Sequence, residues 1–215
     1  MVTATNAAGE SAASNEASAT PSATTTVTFI SGGVQDGWVL ESGENTNAGG
    51  SLTSNNSTSS ALRVGDNNQD RQYKTVVSFD TSPIPDGATI VSVTLRLLRG
   101  SVTGTNPFTT HGSCWVDVQN GSGFSGSTTL QNGDWQAAAT ALQAASLSNA
   151  AANGVWSTGN LNAAGIAALN KTGTTQLRVY FNLGDNDDTG NDYLGYYSGE
   201  NGTAANRPQL VVTYQ

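Results

Sequence analysis

Cysteine, histidine and methionine each occur once in the 215 residues, lysine occurs twice, and charged side chains make up only 11% of the chain. Each scarcity excludes something. The lone Cys114 rules out an internal disulfide and any zinc site built on several cysteines, and its apolar neighbours mark it as a core residue. The lone His111 lies in a Thr/Gly-rich loop with no partner at the spacing of a metal pair or a catalytic triad. It reads as a turn residue, and with no catalytic set in view the chain reads as a non-enzyme. With lysine only at Lys74 and Lys171, a net charge of −8 and a pI near 4.3, there is no basic surface to meet a phosphate backbone, so nucleic acid is not an expected partner. No run approaches the roughly 20 apolar residues that span a bilayer. Met1 to Ala4 do not read as a signal peptide, so secretion implies a leader upstream or already removed.

Ser, Thr, Asn and Gly solvate the chain instead, a surface chemistry unlike that of a cytosolic enzyme and like that of bacterial extracellular modules. The expected location is therefore extracellular or at the cell surface. Residues 1–24 are rich in Ala, Ser and Thr, carry almost no large apolar side chain, and read by composition as a linker. Residues 25–215 form the main domain. From Val27 onward short β-rich runs recur between Gly, Asn, Asp and Pro clusters: Val27–Ile30, Tyr73–Phe79, Ile90–Leu98, Cys114–Val118, Gln176–Leu183, Tyr193–Tyr197 and Leu210–Tyr214. That pattern predicts an all-β fold, an antiparallel β-sandwich of jelly-roll type.

Two-residue alternation assigns faces. Val91, Val93, Leu95 and Leu97 are expected inward, as are Cys114, Val116 and Val118, and Leu177, Val179, Phe181 and Leu183. Arg96, Trp115, Asp117, Arg178 and Tyr180 then point outward. Two Ala-rich stretches, Asp134–Ala145 and Ala163–Leu169, predict short helices with Asp134 and Asn162 as N-caps.

Two constellations offer chemistry. Sugar rings present flat C–H faces that stack on aromatics, which makes Trp115 and Tyr180 candidate ligand platforms. Arg96 and Arg178 are candidates to fork a sugar carboxylate, with the outward Asp117 completing the set. Alternatively, Trp115 and Tyr180 pack beneath the Ala-rich segments. The second constellation is the acidic loop holding Asp185, Asp187, Asp188 and Asp192, where clustered oxygen donors suit a structural Ca²⁺ ion. Tyr196 stands where an EF-hand has its closing glutamate, so that motif is excluded. Asp66, Asn68 and Asp70 form a weaker cluster that reads as a turn.

The segment SFDTSPIPDGATIVSVTLRLL, with ALRVGD upstream and YSGENGTAANRPQLVVTY downstream, resembles the DNRLRE-type domains, relatives of carbohydrate-binding modules that recognise polyuronic acids. The stretches NPFTTHGSCWVDV, GDWQAAATAL and GDNDDTGNDYLGYYSG resemble a subgroup found in extracellular proteins of Chloroflexota-like bacteria. The resemblance implies a secreted β-sandwich that binds polysaccharide, whether polyuronic acid or cell-wall glycan, or mediates adhesion. The string VTATNAAGESAASNEASATP resembles the closing hairpin of a fibronectin type III domain. A rival expectation is a structural subunit of an extracellular filament or surface layer, a homopolymer joined through strand addition by residues 1–24.

Overall fold

Valine, threonine and aromatic runs broken by Gly, Asn and Asp favour strands as the way to pair backbone N–H and C=O groups. The structure, a computed structural model describing residues 2–14 and 23–215, is built in that way. In chain order the strands are β1 (Thr5–Asn6), β2 (Gly9–Glu10), β3 (Thr25–Ile30), β4 (Gly37–Glu41), β5 (Gly49–Ser54), β6 (Leu62–Asp66) and β7 (Gln72–Asp80). They continue with β8 (Ile90–Thr103), β9 (Cys114–Asn120), β10 (Ala141–Ser146), β11 (Trp156–Asn160), β12 (Thr174–Phe181), β13 (Tyr193–Tyr196) and β14 (Gln209–Tyr214). The one α-helix among the described residues, α1, spans Ala163–Ala167.

The long strand β8 joins two sheets. Its first part lies between β14 and β11, with β3 beyond β14. Its last residues, Arg99 to Thr103, pair with β13, which leads through β6 into a larger sheet ordered β7, β12, β9, β10. On the other edge of β7 lie β4 and then β5. The fold is an all-β antiparallel sandwich. Val93, Leu95 and Leu97 from the smaller sheet share one buried cluster with Cys114, Val116, Val118, Leu177, Val179 and Phe181 from the larger. Burial lifts the Cys114 thiol far above its ordinary range, which leaves it an inert core residue.

Two inward expectations are corrected. Val91 and Leu183 are 48% and 49% exposed. Leu183 lies past the end of β12, and Val91 is the second residue of β8, so alternation no longer implies cover at either place.

The helix expected at Asp134–Ala145 is also corrected. A single 3-10 turn forms at Asn132–Trp135, and the carboxylate of Asp134 reaches back to accept from the Gln131 N–H at 2.8 Å. The alanines that follow enter β10 and pair with β9. Ala141, Ala144 and Ala145 are buried there, because close packing against β9 and α1 outweighs the helix propensity of alanine. The second helix forms as α1, and the Asn162 side chain caps it by accepting from the Gly165 N–H at 3.0 Å.

In the N-terminal segment, β1 and β2 pair with each other as a hairpin whose residues are all exposed. Of that expected segment, residues 1 and 15–22 lie outside the described residues. Among the described residues no helix is long and apolar enough to cross a membrane.

Candidate functional site

The larger sheet is apolar on both sides. Val76 on β7 faces away from the main core and meets Val39, Phe124, Leu130 and Trp135 in a second buried cluster. The loop between β9 and β10 supplies the last three of these, so it lies over the outer face of the sheet like a flap.

Four of the five expected ligand residues share this face. Antiparallel register sets Tyr180 opposite Trp115 and Arg178 opposite Asp117. Arg96 is elsewhere: it belongs to the smaller sheet, stacks 4.5 Å from the Trp156 ring centroid and donates to Gln209.

The expectation that Asp117 and Arg178 are exposed is corrected, because the flap buries both, to 0% and 5% exposure. The Arg178 guanidinium meets the Asp117 carboxylate at 2.6 Å and also donates to the carbonyls of Asp134, Trp135 and Ala137. The other Asp117 oxygen accepts from the Gln143 N–H at 2.9 Å and the Tyr180 hydroxyl at 3.1 Å. Gln143 sits at φ 48°, within the bulge of β10 that aims its N–H at Asp117. Through both terminal nitrogens of Arg178 and both oxygens of Asp117 the pair pins the flap to the sheet.

Beyond the flap the same face opens into a cleft of about 220 Å³ whose lining includes Glu41, Gln72, Lys74, Trp135, Tyr180 and Asp185. The Lys74 ammonium lies 3.5 Å from the Trp135 ring centroid and 4.8 Å from that of Tyr180. It makes no hydrogen bond or salt bridge among the described residues. Burial, reinforced by the neighbouring Arg178 charge, lowers its pKa to about 7, while Asp117 and Glu41 pull the other way. The Tyr180 hydroxyl is pushed up to about 12 by burial and by Asp117. Asn45, Asn47 and Asn182 place amides around the mouth.

Sequence reasoning missed Lys74 and Trp135. One signal was present: Val76 and Val77 are consecutive, so β7 carries apolar side chains on both faces, and a strand buried on both faces needs a cover.

The acidic loop is closed by its own side chains. Asp188 accepts from the Gly190 N–H at 2.6 Å and from Asn186 at 2.9 Å, and Asp192 accepts from Asn186 at 3.0 Å and the Thr105 N–H at 2.6 Å. Asp185 borders the cleft, and burial together with Asp187 raises its pKa. Among the described residues no group of three or more His, Cys, Asp or Glu side chains is arranged to hold a metal ion.

His111 lies in a turn, its N–H donating to the Pro107 carbonyl, and it is fully buried there, with Nε2 3.5 Å from Asp66, which in turn accepts from the Asp192 N–H.

Comparison with known proteins assigns no family to the chain, since no family model and no curated protein matches it.

Proposed function

We propose that the chain is a non-catalytic extracellular module that binds glycan in the cleft beside Tyr180. The observation that carries this reading is the cleft itself. A half-buried ring and an unpaired amine stand inside a rim of amides, the mixture of flat apolar surface and polar groups that sugar rings require. Trp115 lies next to Tyr180 across the strands and extends the aromatic strip. A volume of about 220 Å³ falls below the about 300–1,000 Å³ of drug-sized pockets, which suits one terminal sugar unit rather than a long stretch of polymer.

The cleft favours a neutral sugar over a uronic acid. Both guanidinium groups expected to hold a carboxylate are engaged elsewhere, and Glu41 and Asp185 border the space. A glycan array carrying neutral and uronic oligosaccharides tests the reading. Retention of neutral glycans is expected, with Tyr180→Ala weakening it about tenfold, the effect of losing one aromatic stacking contact. Retention of uronic glycans alone, or retention unchanged by Tyr180→Ala, contradicts it.

A further inference from the structure

Two lysines in one chain allow an internal comparison. Lys171 uses its ammonium to donate to the carbonyls of Asp86 and Ala88, so its protons are held by acceptors. Lys74 has none. It stands in an open cleft with its nitrogen against the Trp135 and Tyr180 rings, with the carboxyl groups of Glu41 and Asp185 bordering the same space. An amine that is unpaired, walled by rings and reachable by a small molecule is placed to act as a nucleophile.

We propose that Lys74 captures an aldehyde, such as the open-chain reducing end of a saccharide, as an imine. The amine nitrogen forms the C–N bond while the carbonyl π electrons move to oxygen. That oxygen then leaves as water, carrying in net the two amine protons, and the nitrogen lone pair closes the C=N bond. No oxidant or reductant is consumed. Asp185, whose carboxyl is pushed upward by burial and by Asp187, borders the cleft and is the group placed to pass a proton to the departing oxygen. The charged groups around the amine are Arg178, which disfavours its protonated form, and Asp117 and Glu41, which favour it. With a pKa of about 7, roughly half of Lys74 is neutral at pH 7, about a thousandfold more than for an ordinary lysine. The ligand class rests on the glycan reading; the reactivity of the amine does not.

The full chain is incubated at pH 7 with cyanoborohydride and one of three probes: glycolaldehyde, a reducing disaccharide, or the corresponding alditol. Adducts are located by peptide mass mapping, and indole fluorescence reports non-covalent binding. Lys74 is expected to label at least about tenfold faster than Lys171 with both aldehydes and not with the alditol, and its rate levels off above about pH 7. Lys74→Arg removes the fast adduct. Labelling by glycolaldehyde alone upholds the reactive amine and assigns it to small free aldehydes. Equal labelling of the two lysines overturns the inference. So does disaccharide and alditol binding without a Lys74 adduct, an outcome that leaves the glycan reading standing. A fast Lys74 adduct with glycolaldehyde beside no non-covalent binding of any glycan does the reverse.

Discussion

Arg178 and Lys74 are cations on adjacent strands, on one face of one sheet, and both lie within 6 Å of the Tyr180 ring. Their surroundings divide them. Arg178 has a carboxylate and three carbonyls, and the flap between β9 and β10 closes over it. Lys74 lies where the flap ends, with ring faces for neighbours and open space in front. The difference teaches that pointing outward from a strand is not the same as being available to a ligand. The side chain bound by a carboxylate and three carbonyls holds the site together, and the one left unpaired is the one that can act.

The comparison breaks first at Arg178. Replacing it with leucine strands the Asp117 carboxylate in a buried position and releases three carbonyls, so a loss of about 3–5 kcal/mol is expected in urea unfolding. A cost below about 1 kcal/mol means that the pair is not what pins the flap.

Lys74 carries the opposite expectation. Its folded pKa of about 7 lies below the 10.5 of an ordinary lysine. Between those values the unfolded chain holds a proton that the folded chain has released, so stability rises with pH through that window, and the burial penalty is full below pH 7. Lys74→Met is therefore expected to be more stable than the parent by about 1–2 kcal/mol at pH 6, allowing for solvent screening, with the advantage shrinking toward pH 9. Denaturation curves at three pH values check the sign, and a gap that widens with pH refutes it.

The smallest effect is expected in the acidic loop. A loop closed by Asn186, Asp188 and Asp192 through hydrogen bonds keeps its melting temperature in EDTA, whereas one closed by Ca²⁺ loses stability by mass action. Calorimetry with and without chelator distinguishes them.

Much of the sandwich was legible because its strands alternate. Val93, Leu95 and Leu97, and Leu177, Val179 and Phe181, point inward as a period of two requires. The register that brings Trp115 to Tyr180 was not legible, since it depends on how β9 meets β12 across the 53 residues between their facing ends. β5 and β11 were missed because GGSLTS and WSTGN carry few apolar residues to alternate. The helix expected at Asp134 failed because alanine propensity is weak beside tertiary packing. Of the site, the residue types could be read but not their partners: Asp117 and Arg178 look identical in sequence whether a flap covers them or not. Lys74 escaped notice because its setting is made by Trp135, 61 residues away, folded back over the sheet.

The central claim is that ligand enters beside Lys74, Trp135 and Tyr180. The four indole N–H groups are four separate reporters on different parts of the molecule, and Trp135 donates to the Gln72 carbonyl at the cleft wall while Trp156 stacks on Arg96 in the smaller sheet. The measurement is an ¹⁵N-correlated NMR titration with a glycan retained on the array. The account predicts that the Trp135 indole resonance shifts to saturation while that of Trp156 stays still. A shift at Trp156 with Trp135 unmoved would contradict it.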